Sequence, residues 1–128
     1  MPDDYKLAKW NIINVWCPDL RPPHYKLCIC ICPHRHWYLF INSDPPYSRR
    51  ARAVAVMIEN FELHCLSHMS FVDTTIVQQI PDSDVFSAIA TEDGRRGALP
   101  PFLRKRIIDA ASLHGVLSQD EIEAIVQD

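Results

Sequence analysis

The stretch KLCICICPHRHWYLFINSD, residues 26–44, decides the fold. Leu27 to Cys32 is apolar at every position, so it lacks the alternation of a strand with one wet face. Such a run suits a strand covered on both faces, or one lining a small closed barrel. Trp37 to Ile41 is rich in strand-favouring aromatics and again has no polar face. The join Pro33-His34-Arg35-His36 has hairpin length, and Pro33 cannot donate to a central ladder. The two runs are therefore read as the central antiparallel hairpin of a small β core.

The 128 residues make one domain, able to bury about two thirds of its unfolded surface. Residues from about 10 to 80 are expected to form the β core, and residues 81–128 a helical C-terminal part. An apolar fraction of 48% and a charged fraction of 23% are those of a globular chain, which argues against disorder. No apolar run approaches the roughly 18 residues of a membrane-spanning helix. The start, MPDDYKLAKW, lacks the apolar region of a signal peptide, so a cytoplasmic protein with no membrane partner is expected. Five cysteines, three of them alternating along one strand, suit reduced core thiols.

A net charge of -3 argues against a general nucleic-acid coat. Basic residues still cluster at Arg49, Arg50 and Arg52, at Arg95 and Arg96, and at Arg104, Lys105 and Arg106. Convergence in space would make a phosphate-binding face of them; otherwise they are solvated surface.

In chain order, Trp10 to Cys17 alternates imperfectly and reads as a first strand. Residues 18–24 form a loop, because Pro22 and Pro23 resist helix and ladder alike. After the hairpin, residues 42–47 make a second stiff loop. Residues 52–59 read as a strand, since Val54, Val56 and Ile58 alternate. Residues 60–68 are ambiguous. Residues 70–73 and 76–80 read as short strands around a Thr74-Thr75 corner. A short helix follows, with Asp or Ser from residues 82–84 as its N-cap. Pro100-Pro101 opens a helix whose apolar stripe is Phe102, Leu103, Ile107, Ala110, Ala111 and Leu113, and Gly115 stops it. A last helix opens with Ser118 to Glu121 as a capping box, and Leu117 and Ile122 occupy hydrophobic-staple positions.

Several constellations carry chemistry only in the right geometry. Cys28, Cys30, Cys32, His34 and His36 share one parity, and His64 and His68 would align on a helical turn. Residues two apart are unlike the paired CxxC knuckles of structural zinc, so buried thiols and turn histidines are the expectation, with no metal. No GxSxG elbow supports a serine nucleophile. Gly94-Arg95-Arg96-Gly97 reads as a surface turn rather than an anion-binding loop. Trp16, Tyr38 and Tyr47 are either core residues or an aromatic contact patch, with burial the expectation.

The order of strand, Pro-rich loop, hairpin, polar loop, strand, SFVDTTIVQQIP segment, short helix and basic helix resembles the MazF/PemK-like toxin family. The residues that carry the resemblance span roughly Trp10 to Leu113. They are Asn14-Val15-Trp16 before Pro18, residues 24–29, Phe40 to Ser43, residues 66–72 with 76–80, and Gly97-Ala98-Leu99.

The resemblance implies an α+β fold: a small antiparallel SH3-like β-barrel with C-terminal helices. It also implies a metal-independent endoribonuclease that cuts single-stranded RNA through the 2′-hydroxyl and uses no cofactor. That reaction needs a base, an acid and cations or donors for the pentacoordinate phosphate. Ser43 matches the family's strand-end Thr/Ser, His24 suits an acid or base role, and Asp73 falls near an acidic position of some members. Lys26 stands where the family has an arginine followed by proline, and supplies charge without a bidentate fork. Arg21, Arg49, Arg50 and Arg52 are candidates for RNA contact, and Arg21 or Arg49 for the vacant arginine place. The resemblance further implies a homodimer neutralised by an antitoxin-like protein. The alternative is a catalytically inactive interaction module of the same fold that binds a protein or peptide in the same groove.

Overall fold

The computed structural model describes residues 6–127; the acidic start, residues 1–5, lies outside the described residues. Strands β1 (Asn11–Cys17), β2 (His24–Cys32) and β3 (Trp37–Asn42) form the centre of the sheet. Helix α1 (Arg49–Ala53) leads to β4 (Val56–Ile58), β5 (Ser70–Val72) and β6 (Gln78–Gln79). Helix α2 (Asp82–Ile89), strand β7 (Arg95–Ala98) and helices α3 (Pro101–His114) and α4 (Gln119–Val126) complete the chain. The seven strands form one sheet in the order β4-β5-β3-β2-β1-β7, with β6 also on β3. Every described strand pairing is antiparallel, so the architecture is α+β with C-terminal helices.

The apolar hairpin is the middle of that sheet, as its unbroken hydrophobicity requires. Cys28, Ile29, Cys30 and Ile31 are each at most 1% exposed, because both faces are covered. Ile29 and Ile31 join Ile12, Leu39 and Ile41 in a core closed by Leu103, Ile107 and Ala111 of α3 and Ile125 of α4. Cys28 and Cys30 join Ile13, Val15 and Tyr38 in a second core, closed by Val85, Ala88 and Ile89 of α2. A bulge between Cys30 and Cys32 interrupts the β2–β3 register. His36 then takes a left-handed φ of 59°, with Nδ1 3.1 Å from Asp82. The shared parity of the cysteines and histidines is thereby broken.

Local signals explain the C-terminal part. Ser118 Oγ accepts from the Glu121 N–H, and Glu121 accepts from the Ser118 N–H, which is the expected capping box. Gly115 ends α3 at φ 64°, a left-handed position that favours glycine. The stripe of α3 is narrower than predicted: Leu103, Ile107 and Ala111 are buried, whereas Phe102 is half exposed and Leu113 points to solvent.

Four local expectations are corrected. Residues 49–53 are helical, because Ser48 Oγ accepts from the Ala51 N–H and caps a five-residue turn; the strand begins only at Val56. The cap residue of α2 is Pro81, with no side-chain bond, rather than an Asp or Ser. Residues 59–69 are turns, so His64 and His68 share no helix. Residues 95–98 are a strand, not a surface turn. Gly94, just before it, packs so tightly on α2 that a Cβ there would lie 1.7 Å from the Ala88 carbonyl oxygen.

Candidate functional site

A cleft of about 180 Å³ opens where β2 and β3 run past the covered part of the sheet. Its polar lining comes from four places in the chain. Asn14 comes from β1, His24, Tyr25 and Lys26 from the start of β2, Ser43 from just beyond β3, and Ser67, His68 and Ser70 from the turn before β5 and its first residue. Antiparallel pairing explains the meeting: Leu27 opposes Ile41, and Ile41 opposes Val72, so the residues beyond each pair collect at one end.

Strand parity sorts these side chains. Leu27, Ile41 and Ser43 share a face, and Ser70, buried, lies on it through its register with Val72. Lys26, like His24, is on the other parity. Its ammonium donates to Asn42 Oδ1 and lies 5.4 Å from the centre of the Phe40 ring. Burial lowers its pKa from the ordinary lysine value. His24 is exposed, and its Nδ1 sits 2.7 Å from the Pro22 carbonyl oxygen, which leaves Nε2 without that constraint. His68 is exposed, with Nδ1 3.1 Å from Ser67 Oγ, while its carbonyl accepts from Ser70 Oγ at 3.1 Å. Cys65, also in the lining, has its thiol pKa raised by burial.

Of the residues singled out from sequence, the structure brings His24, Lys26 and Ser43 to this cleft. Asp73 is not among its lining residues: its carboxylate accepts from the Thr75 N–H at 2.9 Å and the Thr75 hydroxyl at 2.6 Å, building the corner after β5. Arg21, Arg49, Arg50 and Arg52 are exposed and do not line the cleft. Arg52 donates to the Tyr47 carbonyl at 3.3 Å. No arginine reaches the lining. Among the described residues, no group of three or more His, Cys, Asp or Glu side chains is arranged to hold a metal.

The expected alignment of His64 and His68 on a helical turn does not form, and His68 instead lines the same cleft as His24, a place the sequence does not signal. Only the long connection from β4 to β5 brings it there, and nothing local in residues 59–69 signals that. Trp16 and Tyr47 were expected to be buried, yet Trp16 is 47% and Tyr47 99% exposed. Trp16 stacks edge-on against Tyr25 with ring centres 5.1 Å apart. Tyr38 is the buried one.

Two imidazoles and hydroxyls line one small cleft, with the Lys26 ammonium turned toward Asn42 and Phe40 at its rim, a set that can move protons and hold an anion without a metal. No protein-family model matches the chain, and no curated protein matches it.

Proposed function

We propose that the chain is a MazF/PemK-like, SH3-like barrel domain that cleaves single-stranded RNA without a metal, with His24 and His68 as its acid–base pair. The observation that carries this reading is the meeting of His24, His68, Lys26 and Ser43 around one cleft. In the reaction one imidazole takes the proton of a ribose 2′-hydroxyl. The 2′-oxygen attacks the adjacent phosphorus, and the bond to the 5′-oxygen breaks. The second imidazole gives that oxygen its proton, leaving a 2′,3′-cyclic phosphate. Ser43 Oγ donates to a phosphate oxygen, and Lys26 lowers the cost of its charge from the rim. Ser67, beside Nδ1 of His68, fixes that ring's orientation. Arg49, Arg50 and Arg52 offer further phosphate contacts along a longer RNA.

A labelled single-stranded RNA incubated with the protein in EDTA tests the reading. Cleavage to a cyclic phosphate is expected, falling about 100-fold or more in His24→Ala and in His68→Ala and less in Lys26→Ala. Each variant is checked for a wild-type circular dichroism spectrum. No cleavage of any single-stranded sequence by the wild-type protein overturns the proposal.

A second reading has its own support. The family arginine is replaced in Tyr25-Lys26, and neither Arg21 nor Arg49 lines the cleft to take its place. On that ground the domain is a catalytically inactive module of the same fold, holding a protein or peptide partner. Binding without cleavage in the same assay favours it.

A further inference from the structure

A larger cleft, of about 610 Å³, runs along the outer edge of β1. Strand β7 covers only the start of that edge: Asn11 opposes Ala98, Ile13 opposes Arg95, and the Asn14 N–H donates to the Gly94 carbonyl at 2.8 Å. Hydrogen-bonding direction alternates along a strand. The N–H and C=O of Trp16, two residues on, therefore face the same way as the Asn14 amide, away from β2. Among the described residues no strand pairs with β1 there.

The opposite wall is α2 and its continuation. Asp84, Ser87, Ala88 and Thr91 all line the cleft, and their spacing puts them on one helical face. A groove between a helix and an open sheet edge is the geometry that accepts an extended chain as an added strand. Four residues, 14–17, give an edge of about 13 Å, the length of a four-residue strand. Trp16, Tyr25 and Ala88 supply apolar contact. The charged lining is two carboxylates, Asp84 and Asp93, against the single guanidinium of Arg96, whose Nε already donates to the Asp93 carbonyl. That balance repels a phosphate backbone and favours cationic side chains.

We infer that this groove binds an extended peptide bearing lysine or arginine, which adds to β1 as a strand against α2. Its backbone pairs with the N–H and C=O of Trp16. Alternate side chains lie on Trp16 and Tyr25 or reach Asp84 and Asp93. The site is separate from the chemistry of the smaller cleft, although Asn14 and Tyr25 border both.

The test is an amide NMR titration of the full chain with acetyl-Val-Lys-Val-Lys-Val-amide. Expected are saturable shifts centred on the Trp16, Ser87 and Gly94 amides, with slowed hydrogen exchange at Trp16. An analogue N-methylated at alternate residues to block one edge, or the Val-Glu-Val-Glu-Val peptide, binds about tenfold or more weakly. Ser87→Arg, at an exposed helical position, obstructs the groove and abolishes the shifts. Asp84→Asn, nearly isosteric, weakens binding of the lysine peptide while leaving the fold intact. The inference is overturned by unmoved Trp16 resonances at millimolar peptide, or by equal binding of the N-methylated analogues blocked on either edge. It is equally overturned if an oligouridylate shifts the same amides more strongly than the peptide does.

Discussion

One nine-residue strand, β2, feeds two cores of different chemistry. On one face Ile29 and Ile31 meet aliphatic side chains from α3 and α4. On the other, Cys28 and Cys30 meet Tyr38 and the small Ala88 of α2. The aliphatic face holds the sheet to the two helices that close the chain. The thiol face holds only the short helix that walls the larger groove. The difference teaches that one strand holds its helices by two kinds of packing, branched aliphatic side chains toward α3 and α4 and small thiols toward α2.

The hardest blow to that comparison comes from truncating the aliphatic face. Ile29→Ala is expected to cost about 2–5 kcal/mol, because Ile29 is wholly buried and its neighbours on rigid strands cannot collapse into the space. Urea unfolding with an unchanged slope measures it. Cys28→Ala removes less volume from the other face and is expected to cost about 1–2 kcal/mol. Equal losses in the two variants would erase the distinction between the faces. Reactivity sharpens it: burial pushes the Cys30 thiol up to about 12 and raises that of Cys28 as well. Neither is expected to react with iodoacetamide at pH 8 until the protein unfolds, which peptide mass mapping follows.

Ser118→Ala removes the capping-box acceptor and is expected to cost about 1 kcal/mol, loosening α4 from the aliphatic face alone. Protection of amide hydrogens in α4 but not α2 should fall. The smallest effect concerns the ion pair that ties α3 to the turn after β4. Both Glu62 oxygens accept from Arg106, at 2.6 and 2.9 Å, and this holds the Glu62 carboxyl down at about 2. A carboxyl depressed in the folded state stabilises the fold above its unfolded value and ceases to do so as pH falls. Stability should therefore decline from about pH 4.5 to about 2, and Glu62→Gln should flatten that slope in an acid-unfolding series.

How much of this was legible depended on how local each signal was. The hairpin declared itself because every residue from Leu27 to Cys32 is apolar, and only a strand covered twice tolerates that. Ser118, Glu121 and Gly115 act within one helical turn, so the ends of α3 and α4 could be read directly. Strand β7, Arg-Arg-Gly-Ala, could not: it is hydrophilic, and its order comes from the backbone of β1 rather than from its own side chains. Helix α1 was hidden by the chance alternation of Val54, Val56 and Ile58, and Ser48 outweighed that pattern by capping the preceding turn.

At the candidate site, His24, Lys26 and Ser43 were legible because they flank the hairpin. His68 was not, since it arrives through turns without periodicity. Asp73, singled out for chemistry, is occupied in folding its own corner around Thr75.

Gly94 sets the gauge of the channel beside β1. Its bare backbone lets the carbonyl of Ala88 come so near that no methyl fits between them. Any side chain there would prise the helix outward, and a guest that sits firmly in the native slot would rattle in the widened one.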